Sequence, residues 1–116
     1  MHIQEIFEEA DGPTVSFEFF PATNHEASEK LHETIATLAT VDPAFVSITY
    51  GAGGSTRDAT RELVKFVKET EALNVVPHFT CVNHSQEEID ATLHDYAELG
   101  IGNVLALRGD APRGSL

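Results

Sequence analysis

The stretch Thr14-Val15-Ser16-Phe17-Glu18-Phe19-Phe20 decides the fold. Its valine and phenylalanines predict a buried β-strand, yet the run carries a carboxylate at Glu18. Burying an unpaired charge costs several kcal/mol, so a glutamate in such a strand is paired, kept protonated, or set at the strand's open end for use. No Lys or Arg precedes Lys30, which excludes a local ion pair with either. A carboxyl held among Val and Phe is also expected to be desolvated, which disfavours its charged form.

Working outward, the chain repeats one pattern. Upstream, Ile3, Ile6 and Phe7 stand at helical spacing and predict a short lead-in helix within Met1 to Ala10. Downstream, Pro21 stops the first strand, Thr23 and Glu26 have capping-box spacing, and a helix to about Thr40 carries an apolar stripe of Leu31, Ile35 and Leu38. Asp42-Pro43 ends it. A second strand over 45–50 runs into the turn Gly51-Ala52-Gly53-Gly54, where Ser55 and Asp58 are placed to cap a helix bearing Leu63, Phe66 and Val67. A third strand covers 75–81. The sequence Ser85-Gln86-Glu87-Glu88 is a full capping box for a helix striped by Ile89, Leu93 and Tyr96, Gly100 supplies the stop, and a fourth strand covers 103–107.

The order is thus β-α-β-α-β-α-β with a period of about 30 residues, the length of one strand-helix unit in a parallel α/β fold. No linker or low-complexity tract interrupts it, so residues 1–116 are expected to form a single domain. Right-handed crossovers put all three main helices on one side if the sheet curls into a barrel, whereas a doubly wound sheet splits them between two faces.

Side-chain alternation favours the barrel. Glu18 shares its side with Ser16 and Phe20, Ser47 with Thr49, and His78 with Val76 and Thr80, so each strand offers one face to the helices and another, polar towards its carboxyl end, to a common interior. Glu18, Thr49, His78 and Asp110 fall about one repeat apart, and a TIM barrel collects its active site at that carboxyl rim.

Charge narrows the partners. Seven Lys+Arg against nineteen Asp+Glu give a formal net charge of -12, which repels a phosphate backbone and anionic lipid, so neither nucleic acid nor a membrane is an expected partner. The acid is spread along the helices as solvated faces. The single cysteine, Cys81, excludes an internal disulfide and fits a reducing, cytoplasmic compartment; its default role is that of a small buried hydrophobe. The acidic amino-terminal segment lacks the basic start and long apolar core of a signal peptide or membrane span.

Three local motifs carry weaker signals. Gly51–Gly54 before a helix suits a phosphate but matches neither G-x-G-x-x-G nor the P-loop, and is first a tight βα turn. His78, Cys81 and His84, with His94 in reserve, invite a zinc site. His78 and Cys81 lie on opposite faces of an extended strand, which argues against it, and no metal is expected. Arg108-Gly109-Asp110 spells an adhesion tripeptide, but directly after a buried strand it better suits backbone approach to a flat ligand flanked by a cation and an anion.

Four blocks, Ser16-Phe17-Glu18-Phe19-Phe20-Pro21, Phe45-Val46-Ser47-Ile48-Thr49-Tyr50-Gly51-Ala52, Pro77-His78-Phe79-Thr80-Cys81 and Ala106-Leu107-Arg108-Gly109-Asp110, resemble in order and spacing the 5,10-methylenetetrahydrofolate reductase family. The likeness runs from about Thr14 to the last residue. It implies an α/β fold of TIM-barrel type, of which this chain holds the first four strands and three helices after a short amino-terminal helix: the N-terminal half of a reductase domain. It also implies FAD as cofactor, NADH or NADPH as co-substrate, and reduction of methylenetetrahydrofolate to 5-methyltetrahydrofolate, in one-carbon metabolism and methionine supply.

By the same resemblance, Glu18 is the catalytic general acid that helps open the folate's methylene bridge to an iminium. Thr49 touches the nicotinamide, Tyr50, Ala52, His78, Arg108, Gly109 and Asp110 contact FAD, and Asp110 also reaches the folate's pterin. Pro21-Ala22 departs from the two prolines usual in the family. The larger departure is length, since a complete barrel takes eight strands and about 250 residues. Half a barrel exposes two sheet edges and an apolar interior, so a homo-oligomer, or pairing with a missing half, is expected.

Overall fold

A computed structural model describes residues 1–51 and 57–110. Its elements are α1 (Ile3–Glu9), β1 (Ser16–Phe19), α2 (His25–Ala39), β2 (Phe45–Ile48), α3 (Arg57–Thr70), β3 (Val75–Thr80), α4 (Gln86–Glu98) and β4 (Leu105–Leu107). The strands form one parallel sheet in the order β1-β2-β3-β4. A single core cluster joins Phe19, Val46, Ile48 and Val75 of the sheet to Ile35 of α2, Leu63, Val64 and Val67 of α3, and Tyr96 of α4. The helices therefore cover one face of the sheet, and the architecture is the α/β half-barrel rather than a doubly wound sheet.

The register gives the sheet its curl. The first half of β3 pairs with β2 (Val46↔Val75 to Ile48↔Pro77) and its second half with β4 (His78↔Leu105 to Thr80↔Leu107). Such a stagger tilts successive strands in one sense, as barrel closure requires. Pro77 sits at the handover, a position suited to a strand residue with no N–H to give.

Local chemistry sets the helix ends. The α2 cap is Asn24, whose Oδ1 accepts from the Ala27 N–H at 2.8 Å, so the expected Thr23–Glu26 box does not form. The Ser85–Glu88 box forms in both directions at 3.1 Å. Gly100, at φ +82°, ends α4 in a Schellman turn: its N–H bonds to Ala97 O and that of Ile101 to Tyr96 O. A side chain would be strained there.

At the opposite end from the site, Asn103 clasps the chain start: its Oδ1 accepts from the Ile3 N–H at 3.0 Å and its Nδ2 donates to Met1 O at 2.8 Å. This seats α1, with Ile6 buried, across the amino-terminal end of the sheet. Part of the apolar surface left open lies at the two edge strands, at Val15 and Phe20 around β1 and at Leu105 and Leu107 in β4, with Phe7, Val41 and Leu93 exposed elsewhere. Among the described residues, no helix is long and apolar enough to cross a membrane.

Candidate functional site

Alternation in β1 points Phe17 and Phe19 towards the helices and leaves Ser16 and Glu18 on the opposite, inner face. This corrects the expectation that Glu18 is buried in its aromatic strand: its side chain is 50% exposed. The carboxyl meets partners from the neighbouring strands. Ser47, directly opposite in register, donates its hydroxyl to Glu18 Oε1 at 3.0 Å. His78 Nε2 from β3 lies 3.1 Å from the same oxygen, a close polar contact without hydrogen-bond alignment. Glu18, Ser47 and His78 therefore form a row across three strands.

Of the positions expected one repeat apart, the structure brings Glu18 and His78 together. Thr49 stands one step beyond, its N–H bonded to Phe19 O and its carbonyl held by the buried Thr60 hydroxyl at 2.9 Å. Arg108, Gly109 and Asp110 follow β4 at its carboxyl end, with Arg108 and Asp110 exposed and Gly109 at φ +83°. Ala52, with the rest of the turn through Gly54 and the expected Ser55 cap, lies outside the described residues.

Tyr50 is buried and belongs to a second cluster that the sequence did not disclose. Its hydroxyl lies 2.5 Å from His84 Nε2, its ring packs on Phe79, and the Phe79 and His84 rings stack with centroids 6.0 Å apart. Burial pushes the Tyr50 phenol up from its ordinary value, with Arg57 pulling the other way. Behind His84, Glu88 Oε2 stands 3.7 Å from Nδ1 and 3.2 Å from Arg57, and the Ser85 backbone and side chain hold the Glu88 carboxyl below its usual range. A left-handed Asn83, at φ +59°, turns the chain so that His84 comes back under Phe79.

The histidines once grouped as metal ligands are thus divided: His78 to Glu18, His84 to Tyr50, and His94 to Glu98 on its own helix. The described residues hold no cluster of three metal-binding side chains. Cys81 is exposed, not buried, because β3 ends at Thr80 and leaves it in the following turn. The cleft of about 610 Å³ between α2 and α3, where His32 stacks on Phe66 at 3.8 Å, is on the helix side and shares no residue with the polar row.

The inner face carries polar groups whose hydrogen bonds are incomplete among the described residues. Among the described residues, His78 Nε2 and Thr80 Oγ1 are buried there without a hydrogen-bond partner, and buried polar atoms cost free energy until something satisfies them. Chemically, the row offers a carboxyl for proton transfer beside an open surface.

Comparison with known proteins adds a lineage. Residues 2–116 match the family model described as Methylenetetrahydrofolate reductase. The 5,10-methylenetetrahydrofolate reductase of Pectobacterium carotovorum subsp. carotovorum is 43% identical over 99 residues, covering 85% of this chain and 33% of its own. That of Escherichia coli (strain K12) is 42% identical over 101 residues, covering 87% and 34%. The Methylenetetrahydrofolate reductase (NADH) 1 of Zea mays is 43% identical over 114 residues, covering 97% and 19%. The chain therefore spans about a third of the bacterial relatives' length and a fifth of the plant one's.

Proposed function

Because the chain belongs to the methylenetetrahydrofolate reductase family, we propose that it supplies the first half of a barrel that reduces 5,10-methylenetetrahydrofolate to 5-methyltetrahydrofolate. A bound FAD would supply the hydride chemistry between NADH or NADPH and the folate. Thr49, Tyr50, Ala52, His78, Arg108, Gly109 and Asp110 would hold the flavin and the nicotinamide, with Asp110 also addressing the pterin. His78 Nε2, held beside Glu18 without hydrogen-bond alignment, and Thr80 Oγ1, unpartnered among the described residues, support this, since their hydrogen-bonding capacity on the inner face is not used up.

The observation that carries the reading is the Glu18–Ser47–His78 row. Glu18 gives a proton to the folate nitrogen as the methylene bridge opens to an iminium, the electrophile that hydride needs. Positioned proton transfer of this kind contributes roughly a hundredfold to ten-thousandfold. A reducing cytoplasm suits the lone, exposed Cys81.

The test separates the two half-reactions in the full-length protein. Purified protein is expected to be yellow, with flavin near stoichiometric ratio. Glu18→Gln should spare flavin reduction by the nicotinamide and depress folate turnover, whereas equal loss of both would refute the role.

A second reading rests on Val15, Phe20, Leu105 and Leu107, each at least 41% exposed beside an edge strand. On it, the 116-residue chain is a non-catalytic half-barrel that pairs with another copy or with a separate carboxyl-terminal half. Colourless protein that elutes as an oligomer would favour it.

A further inference from the structure

We propose that Ser47 is a positioning residue that commits Glu18 to deliver its proton from Oε2. The inference rests on Glu18 acting as the acid, and it adds which oxygen acts and what selects it.

Both neighbouring strands converge on a single carboxylate oxygen. Ser47 Oγ donates to Oε1 at 3.0 Å, and His78 Nε2 stands 3.1 Å from that same atom. Oε2 has no partner among the described residues, and the side chain is half exposed on the inner face. Ser47 reaches this place because its backbone is locked in register opposite Glu18, between the buried Val46 and Ile48. The serine hydroxyl is therefore presented by a rigid strand rather than by a loop.

A neutral carboxyl has one hydroxyl and one carbonyl oxygen. The carbonyl oxygen is the stronger acceptor, so the serine hydroxyl at Oε1 favours the form with its proton on the other oxygen. Ser47 thus holds the carboxyl rotamer and directs the acidic O–H to Oε2, facing the interior. After transfer, the same hydroxyl remains bonded to the carboxylate formed, a charge-assisted hydrogen bond stronger than the neutral one it replaces. The step balances: the O–H bond at Oε2 breaks and its electron pair stays on the carboxylate, an N–H bond forms at the folate nitrogen that leaves the methylene carbon, the C–N bond to that nitrogen breaks, and the lone pair of the other nitrogen forms the C=N of the iminium. His78, lacking hydrogen-bond alignment, closes the other side of Oε1 without directing it.

The experiment compares Ser47→Ala and Ser47→Thr in the full-length protein with two readouts. The first is the Glu18 carboxyl stretching band, assigned by its loss in Glu18→Gln. The second is the pair of single-turnover rates, nicotinamide to flavin and flavin to folate. Ser47→Ala is expected to shift the band and to slow the folate step roughly ten- to a hundredfold with little change in KM, while sparing flavin reduction. Ser47→Thr, which keeps the hydroxyl, is expected to restore both.

An unshifted band in Ser47→Ala, or a folate step within twofold of wild type, would overturn the proposal. A parallel fall in both half-reactions and in melting temperature would also overturn it, by making Ser47 merely structural. A wild-type protein inert to the folate, whose Glu18 band still shifts in Ser47→Ala and returns in Ser47→Thr, would end the reductase reading and leave the positioning of the carboxyl standing.

Discussion

The two faces of the sheet are built from alternate residues of the same strands, and they obey different rules. On the helix side, Val46 and Ile48 of β2 and Val64 and Val67 of α3 are at most 1% exposed and interlock in one cluster. On the inner side, the sheet presents Ser16, Glu18, Ser47 and His78, polar and open towards β1, with Val76 and Thr80 of β3 buried beside them. One face is close-packed and intolerant of lost volume, while the other is open at β1 and depends on which atom meets which. A single-residue slip of any strand would exchange the two, so the packed face is also what holds the chemical face in register.

The largest expected effect is therefore on the packed side. Ile48→Ala should destabilise the domain by roughly 2–5 kcal/mol, since a buried methyl-rich side chain leaves a cavity that strands cannot close. A loss below 1 kcal/mol in denaturant unfolding would break the distinction between the faces.

Next is Tyr96, 1% exposed, with a hydroxyl that has no hydrogen-bond partner among the described residues and is pushed up to about 12 by burial. Its folded value is above its unfolded value near 10, so its contribution is complete below pH 10 and is lost as pH climbs towards 12. The loss by pH 12 is on the order of 2–3 kcal/mol. Tyr96→Phe keeps the ring and removes the ionisation, so it should be neutral or mildly stabilising at pH 7 and should flatten the alkaline fall. An equally steep fall in the variant would count against this.

A smaller effect belongs to the α3–α4 clasp, where Arg61 grips Asp95 through Nε and Nη2 at 2.5 and 3.1 Å. The Arg61 guanidinium holds the Asp95 carboxyl below its ordinary 3.8. The clasp is thus intact above pH 3.8 and is lost as pH falls through the lower folded value. About a third of each side chain is exposed, so Asp95→Asn should cost no more than about 1 kcal/mol at pH 7. The difference from wild type should shrink in acid, and one that grew instead would reverse the assigned sign. Smallest of all, Glu18→Gln on the open face should change stability by less than about 0.5 kcal/mol while altering the chemistry. A large destabilisation would show that the inner row is structural.

The sequence made the repeat legible because period-two and period-3.6 patterns are local. The same alternation placed Glu18 and His78 on one side. Other features were hidden because they depend on register and loops. That Ser47, not Thr49, meets Glu18 follows from β1–β2 pairing, which no residue type announces. The Tyr50–His84 contact needs a loop turned by Asn83, so His84 suggested a metal ligand instead. Glu18 looked buried because its neighbours are aromatic, although in a strand those neighbours point the other way. Asn24 took the cap from Thr23 for a one-residue difference in where α2 begins, finer than pattern resolves.

The clasp of Asn103 on Met1 and Ile3 joins residues 102 and 100 positions apart. Closing so long a loop carries a large entropic cost that nearer contacts do not, so it belongs late in assembly. As the chain leaves the ribosome, each strand-helix unit can dock on the one before it, and α1 can lean on β2 through Phe7 and Phe45, yet its anchor on Asn103 must wait until that residue has emerged.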